Sequence, residues 1–530
     1  MLDHIASRLW KKDVNVFSVA SDPAARASIN NRLGWLEAPE QMRARLDDIR
    51  AVARSVKDDG LTSVCLLGMG GSSLCAEVLR LTLATAEMRA HVHVLDTTDE
   101  RAILAASDAL SPAATIFIVA SKSGSTIEVT ALEAHFRAWV EKAGITNPGR
   151  HFIAVTDPGT SMLEHATRHG YRHIFINPED IGGRFSALSL FGLVPAALMG
   201  IDPALLLDGA APMVEACRSD DDDNPGLALG QYMAEHALAG RDKLTLLLPP
   251  SMSALGLWVE QLVAESTGKQ GRGVLPIVDE PVTAPGHLDE YGRDRAFVLV
   301  AEPTDDKALE RRQALVGAGH PVMHLQSTPQ NLGAEFFRWE FATAVAGAAL
   351  DVNPFDEPNV RDAKSRTQAL LSLGEPLPVE PPLVERGRFL GRSHRNADID
   401  PAGSFVAILD YLPQDGRRAD AVAQVRAAIR HRTKAATTYG AGPRYLHSTG
   451  QFHKGGTNSG LFLLLTGADA TATQVPGADY TFSRLKHAQA LGDYEALAAN
   501  NRHVVHFHIS DAHADFSAAL ETLVSEAITK

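Results

Sequence analysis

The chain has 530 residues, 45% of them hydrophobic and 22% charged, a composition that predicts a globular protein of more than one domain. A net charge of −14 with no basic stripe argues against nucleic acid as the main partner, and no run of about 18 apolar residues predicts a membrane span. Cys65, Cys75 and Cys217 show neither metal spacing nor a paired pattern, and the N-terminus MLDHIASRLWKKDV lacks a signal-peptide core, so a reducing, cytoplasmic setting is expected.

Residues 1–47 read as a polar, helical N-terminal arm. From there to 218, short apolar runs alternate with helical patterns. They are Val64–Leu67, His91–Leu95, Ile116–Ala120, Phe152–Val155 and His173–Ile176. An acidic run, Ser219–Gly226, reads as a solvated linker. A second unit of the same plan spans 227–374, with runs at Leu244–Leu248, Val274–Val278, Ala296–Val300 and Pro321–Leu325. The Pro-rich stretch Glu375–Pro382 reads as a connector, and 383–530 as a C-terminal region with apolar runs at Phe405–Leu409, Leu461–Leu465 and Val504–Ile509. The predicted fold class is α/β: two doubly wound parallel-sheet domains with a helical arm and a C-terminal extension.

Ligands in such folds lie at the carboxyl ends of strands. Two loops sit there. Gly68–Ser73 follows the first run, and the hydroxyl cluster Ser121, Ser123, Ser125, Thr126, with Lys122 and Gly124 inside it, follows the third. A helical pattern starts straight after the cluster. Free N–H groups and the helix dipole make such a start a phosphate cradle. The plainer reading is a serine N-cap with Glu128 closing a capping box.

On the stretch Trp258–Lys269, Glu265 shares a largely apolar helical arc with Trp258, Gln261 and Leu262. Burial there raises a carboxyl pKa, as a general base requires; the plainer reading pairs Glu265 with Lys269. Arg184 follows two glycines and could stabilise an oxyanion, or simply bind a carbonyl or carboxylate. His447 and His453 occupy a loop rich in Gly, Ser and Thr and are candidates for proton transfer, with solvated loop histidines the alternative. No zinc spacing is evident, so no metal and no cofactor is expected. Lys486 is either a site lysine or a helix-surface one. The pairs His91/His93 and His506/His508 alternate on strands and read as surface histidines.

In order along the chain, LGMGGSS (67–73), SKSGST (121–126), GGRFSALSLFGL (182–193), QLVAESTGK (261–269) and NPFDEPNV (353–360) resemble the glucose-6-phosphate isomerase family with its two sugar-isomerase (SIS) domains. RLWKKDVNVF, HSTGQFHKGG (447–456) and LKHAQALGD (485–493) look most like the isomerase half of the fused transaldolase–isomerase proteins, here expected to stand alone. The resemblance implies a cofactor-free aldose–ketose isomerase working through a cis-enediol, a homodimer by the family's habit. Gly71, Ser72, Ser121, Ser123, Ser125 and Thr126 would hold the sugar phosphate, Gln261 would orient the substrate, Glu265 would be the base, and Arg184 would stabilise the enediolate. The family's ring-opening His directly follows a Gly-Gln pair. Here Phe452 follows Gly450-Gln451, so His453 is the nearest match and His447 the reserve. Lys486 would assist ring opening, although its context departs from the family's Glu-Leu-Gly-Lys. Rival readings are an isomerase that also takes mannose 6-phosphate and a phosphosugar-binding protein without chemistry.

Overall fold

Apolar runs of four to six residues become the strands of parallel sheets, buried on both faces at the sheet centres, as in Thr115–Ala120 and Phe152–Thr156, and half-exposed at the edges, as in His173–Ile176. The computed structural model describes residues 4–282, 285–302, 304–373 and 403–529, with the strand pieces 384–385, 388–389 and 392–393. The predicted connector Glu375–Pro382 lies outside the described residues.

The first sheet is built from β1 (Ser63–Gly68), β2 (Val92–Leu95), β3 (Thr115–Ala120), β4 (Phe152–Thr156) and β5 (His173–Ile176), all parallel, in the order 2-1-3-4-5. The second uses β6 (Lys243–Leu247), β7 (Leu275–Ile277), β8 (Arg295–Ala301) and β9 (Val322–Gln326) in the order 7-6-8-9. That is the same plan with one strand fewer. The C-terminal region builds a third sheet with four parallel strands, Ala436–Ala441 beside Phe405–Tyr411, then Gly460–Gly467, then His503–Ile509, to whose outer edge the short strand Arg392–Ser393 adds antiparallel. The order of the four parallel strands is again second, first, third, fourth. The C-terminal extension is therefore a third unit of the same winding. Its strand Ala436–Ala441 (ATTYGA) carries too few apolar residues to stand out in the sequence.

The arm is a chain of short helices, among them Ile5–Trp10 and Pro23–Asn30. It is anchored by Trp35, fully buried against Phe185, Phe337 and Phe341. The helix Leu332–Ala349 runs through the largest core cluster, which the arm and the first two units share. The acidic run folds back on the arm: Asp220 accepts from the Ser7 N–H, and Asn224 caps the helix Pro225–Leu238.

Candidate active site

In the first sheet the strand order reverses between β1 and β3, and a crevice opens at their carboxyl ends. A cavity of about 440 Å³ lies there. Gly70, Gly71 and Ser72 of the loop after β1, and Lys122, Ser123 and Thr126 of the loop after β3, form part of its wall. Arg184, Gln261, Glu265 and His447 close the other side, with Arg32 from the arm and Lys364 from the helix Val360–Ser372.

Glycine makes this convergence possible. A Cβ on Gly71 would lie 2.0 Å from the Gly183 carbonyl, so only glycine lets the Arg184 turn come this close. Gly70 has φ +55°, and a Cβ there would meet Gln261 Nε2 at 2.7 Å and the His447 carbonyl at 2.8 Å. Across the crevice the helix Ile127–Lys142 starts at Thr126, which makes no side-chain cap to it. Its first N–H groups remain available to an anion. The expected capping box is absent, because the helix begins one residue late and Glu128 turns elsewhere. Ser121 is buried and braces Thr126 through a 3.1 Å hydroxyl contact, whereas Ser125 lines a smaller adjoining chamber together with Thr126. Neither Ser121 nor Ser125 lines the main cavity. Lys122 does, paired to Asp157.

The helix Leu255–Thr267 presents Gln261 and Glu265 one turn apart, both buried. Gln261 Nε2 donates to Glu265 Oε2 at 3.2 Å and to the His447 carbonyl at 2.7 Å. Arg184 Nη1 stands 3.6 Å from Glu265 Oε2 and 3.2 Å from Glu357. The rest of its guanidinium is pinned by Ser266 Oγ and by the Pro354 and Asp356 carbonyls. Burial pushes the Glu265 carboxyl above its ordinary value, and the Arg184 charge opposes that rise. Lys269 does not pair with Glu265. It reaches Asp356 at 3.1 Å, and burial holds its pKa down to about 8.

The two histidines part company. His447 lines the cavity, its Nε2 2.9 Å from Glu128 Oε1. Burial alone would raise the Glu128 carboxyl, but the His447 ring, by charge and hydrogen bond, brings it below the ordinary value. His453 is 1% exposed, lies among Tyr445 and Phe462, and neither ring nitrogen has a partner. Burial holds it well below the usual imidazole range, and it does not line the cavity. Lys486 is equally buried, held by Asp99 at 2.9 Å and Asp469 at 2.5 Å, away from the cavity wall. The structure brings neither to the cavity wall: His453 packs inside the third unit, and Lys486 is buried between that unit and the segment after β2. His506, expected at the surface, is also buried and meets Thr466 Oγ1 at 2.8 Å. Sequence reasoning missed Arg32, Lys364 and Glu357; only Glu357 carried a signal, lying inside the motif NPFDEPNV.

Among the described residues no group of three or more His, Cys, Asp or Glu side chains could hold a metal ion, and no helix is long and apolar enough to cross a membrane.

An uncapped helix start at a strand-order reversal faces a buried carboxyl beside a fixed guanidinium, and the three parallel-sheet units make this an α/β protein with its cavity at the strand ends. The family profile described as phosphoglucose isomerase matches residues 30–274. A glucose-6-phosphate isomerase from Rubrobacter xylanophilus is 30% identical over 408 residues, covering 66% of this chain and 92% of the relative. Among solved structures, a hypothetical protein from Thermus thermophilus superposes with a TM-score of 0.58 at 26% identity, over 69% of this chain and 99% of that one. A glucose-6-phosphate isomerase from Chlamydia trachomatis shares the fold, with a TM-score of 0.51 at 19% identity, over 69% of this chain and 78% of that one. The chain belongs to the phosphoglucose isomerase family.

Proposed function

We propose that the chain interconverts glucose 6-phosphate and fructose 6-phosphate, with Glu265 carrying the proton between C2 and C1. The observation that carries this reading is the Glu265–Arg184 contact at 3.6 Å, inside the cavity that also holds the uncapped helix start. Binding a phosphate requires neither a buried carboxylate nor a guanidinium aimed at it. Proton abstraction next to a carbonyl requires both a base and a partner for the oxyanion.

In this reading the phosphate sits against Ser72, Ser123, Thr126 and the first N–H groups of the helix Ile127–Lys142. Lys122, Lys364 and Arg32 supply positive charge at the cavity wall. His447 opens the ring. With Glu128 ionised, Nε2 carries the hydrogen that Glu128 accepts, which leaves Nδ1 to exchange a proton with the sugar. Glu265 then takes the C2 proton and returns it at C1, and a second proton passes from the C2 hydroxyl to the C1 oxygen of the intervening cis-enediolate. Arg184 stabilises the charge on the enediolate oxygen, and Gln261 orients the chain. Ser121 and Ser125 act by shaping the loop.

A cytoplasmic location fits three buried, unpaired thiols, and the family resemblance supports a homodimer, which sedimentation of the purified chain would test. The decisive experiment is a coupled assay of fructose 6-phosphate formation in chelator with the parent and Glu265→Gln. The amide cannot accept a proton, so a loss of about 10²–10⁴-fold or more is expected. Near-parental turnover in the variant would place the base elsewhere.

A further inference from the structure

The segment that follows β2, Asp96–Asp99, lies outside the cavity wall, yet three side chains of the C-terminal region fasten onto it. Arg444, at the head of the turn that ends in His447, makes a bidentate contact to Asp96, both bonds 2.7 Å. Lys486 holds Asp99. Gln489, three residues further along the same helix Phe482–Ala499, accepts from the Thr98 hydroxyl at 2.9 Å and donates through Nε2 to Glu128 Oε1 at 2.7 Å. Glu128 Oε1 is the oxygen that meets His447 Nε2. Thr98, Gln489 and Glu128 are all buried.

We propose that Gln489 is the positioning residue for the His447–Glu128 pair, with Thr98 holding the carbonyl end of its amide. The inference rests on the ring-opening role given to His447 above. A glutamine amide can be turned either way, and its two ends do opposite things to a carboxylate. The Glu128 carboxylate can only accept, so it takes the NH₂ end, which supplies a second donor to the oxygen shared with the imidazole. The Thr98 hydroxyl donates to the carbonyl end and holds the amide in that place. Without the amide Glu128 would keep one side-chain donor, and its carboxylate could rotate away from the ring. The chamber behind His447, about 190 Å³, has Ile127, Val360, Ala363 and Leu446 in its wall together with Glu128, Gln489 and the cations Lys364 and Lys454. In such surroundings a hydrogen bond to a charged group is strong and the loss of one is felt. The charged and titratable groups around Glu128 are His447, Lys364 from the helix Val360–Ser372, Lys454, which is paired to Asp493, and the phenols Tyr411 and Tyr480. None of them takes the place of the amide. Lys486 thereby acquires a role of its own. It docks the helix that aims Gln489.

The test uses Gln489→Leu and Thr98→Val, each nearly isosteric, with two readouts. In the substrate-free protein, the ¹³C signal of the Glu128 carboxyl is titrated. Loss of the donor in Gln489→Leu should move its midpoint to higher pH, and Thr98→Val, which leaves the Gln489 carbonyl end unheld, should move it the same way by less. With glucose 6-phosphate, Gln489→Leu should lower kcat by about 10-fold or more with KM within about twofold. Proton exchange in a phosphosugar too short to close a ring should lose much less. An unmoved Glu128 titration, or equal losses on both substrates, overturns the proposal. If Gln489→Leu does not fold, the Thr98→Val titration decides alone. If the parent proves to have no isomerase activity, the functional reading fails, while the titration still judges the Thr98–Gln489–Glu128 chain.

Discussion

His447 Nε2 and Glu128 Oε1 lie 2.9 Å apart although 319 residues separate them in the chain. The contact joins the third unit to the start of the helix behind the hydroxyl loop, so the cavity is complete only when both have folded. It also separates two proton transfers in space: His447 with Glu128 on one side, Glu265 with Arg184 on the other, and Gln261 bridging them through the His447 carbonyl.

That separation predicts two different failures. His447→Ala should slow cyclic glucose 6-phosphate by about 10²-fold or more while largely sparing proton exchange in a phosphosugar too short to form a ring. His453→Phe should leave kcat on both within a few-fold, because the ring sits in apolar packing. Steady-state kinetics on the two substrates settles the assignment. A severe kcat loss in His453→Phe, with His447→Ala near normal, would reverse it.

The pH dependence has a definite sign. Glu265 must be ionised to act, so kcat/KM falls below its pKa, which burial raises and Arg184 lowers. Arg184→Gln removes the lowering charge, and the acidic limb should move to higher pH as kcat drops. Arg184→Lys should hold the limb nearer its place. The substrate phosphate titrates as well, so the shift is read against the parent under one buffer series. An acidic limb unchanged in Arg184→Gln would mean that another group sets it.

How much of this was legible in the sequence follows from where each signal lives. Strands buried on both faces write continuous apolar runs, so Ile116–Ala120 and Phe405–Leu409 could be read directly. Ala436–Ala441 could not, since Thr437, Thr438 and Gly440 break its run. Glu265 was legible because helical spacing alone puts it on the Trp258–Leu262 arc. The fates of His447 and His453 were not: six residues apart in a stretch that reads as one loop, the first ends the turn Arg444–His447 and faces the cavity, while the second lies on the short helix Gly450–Gly455 and packs against Tyr445 and Phe462. Glu128 looked like a capping partner because spacing cannot say whether a carboxylate turns back to its own helix or outward to a distant ring. Arg32 and Lys364 reach the cavity from the arm and from another helix, with no local pattern to mark them.

Ser123 faces the cavity from the loop that precedes an uncapped helix. Ser123→Asp places a carboxylate where the phosphate is proposed to bind. Repulsion at a few ångströms should raise KM for fructose 6-phosphate by about 10-fold or more, with a smaller change in kcat. An unchanged KM would remove Ser123 from the cradle.

Lys486, with Asp99 and Asp469, forms a buried ion-paired cluster outside the cavity wall. Lys486→Met leaves two buried carboxylates without their cation, a change that typically costs about 3–5 kcal/mol. The variant should therefore be markedly less stable to heat and denaturant. Its folded fraction should open rings more slowly but retain proton exchange on the short substrate. Parental stability with abolished exchange would instead make Lys486 part of the chemistry.

Glu260, the neighbour of Gln261 in sequence, gives a prediction about stability. Its side chain is buried, Oε1 has no hydrogen-bond partner, and burial pushes its pKa up to about 8, with Arg426 opposing. The native state therefore favours the neutral acid, whereas in the unfolded chain the group ionises near 4.5. Unfolding releases a proton throughout the interval between these values, so the contribution of Glu260 to stability is fully present below the lower one and is lost as pH rises to the upper. Glu260→Gln keeps a neutral polar head of the same size and removes the ionisation. Relative to the parent, the variant should gain stability progressively from about pH 4.5 to pH 8, by at most ~1.4 kcal/mol per pH unit, and the difference should be flat below that interval. Apparent melting temperatures of parent and variant across a pH series measure it. A constant difference at every pH would show that Glu260 keeps one ionisation state in the folded and unfolded chain, and that its burial is compensated by the Arg426 charge.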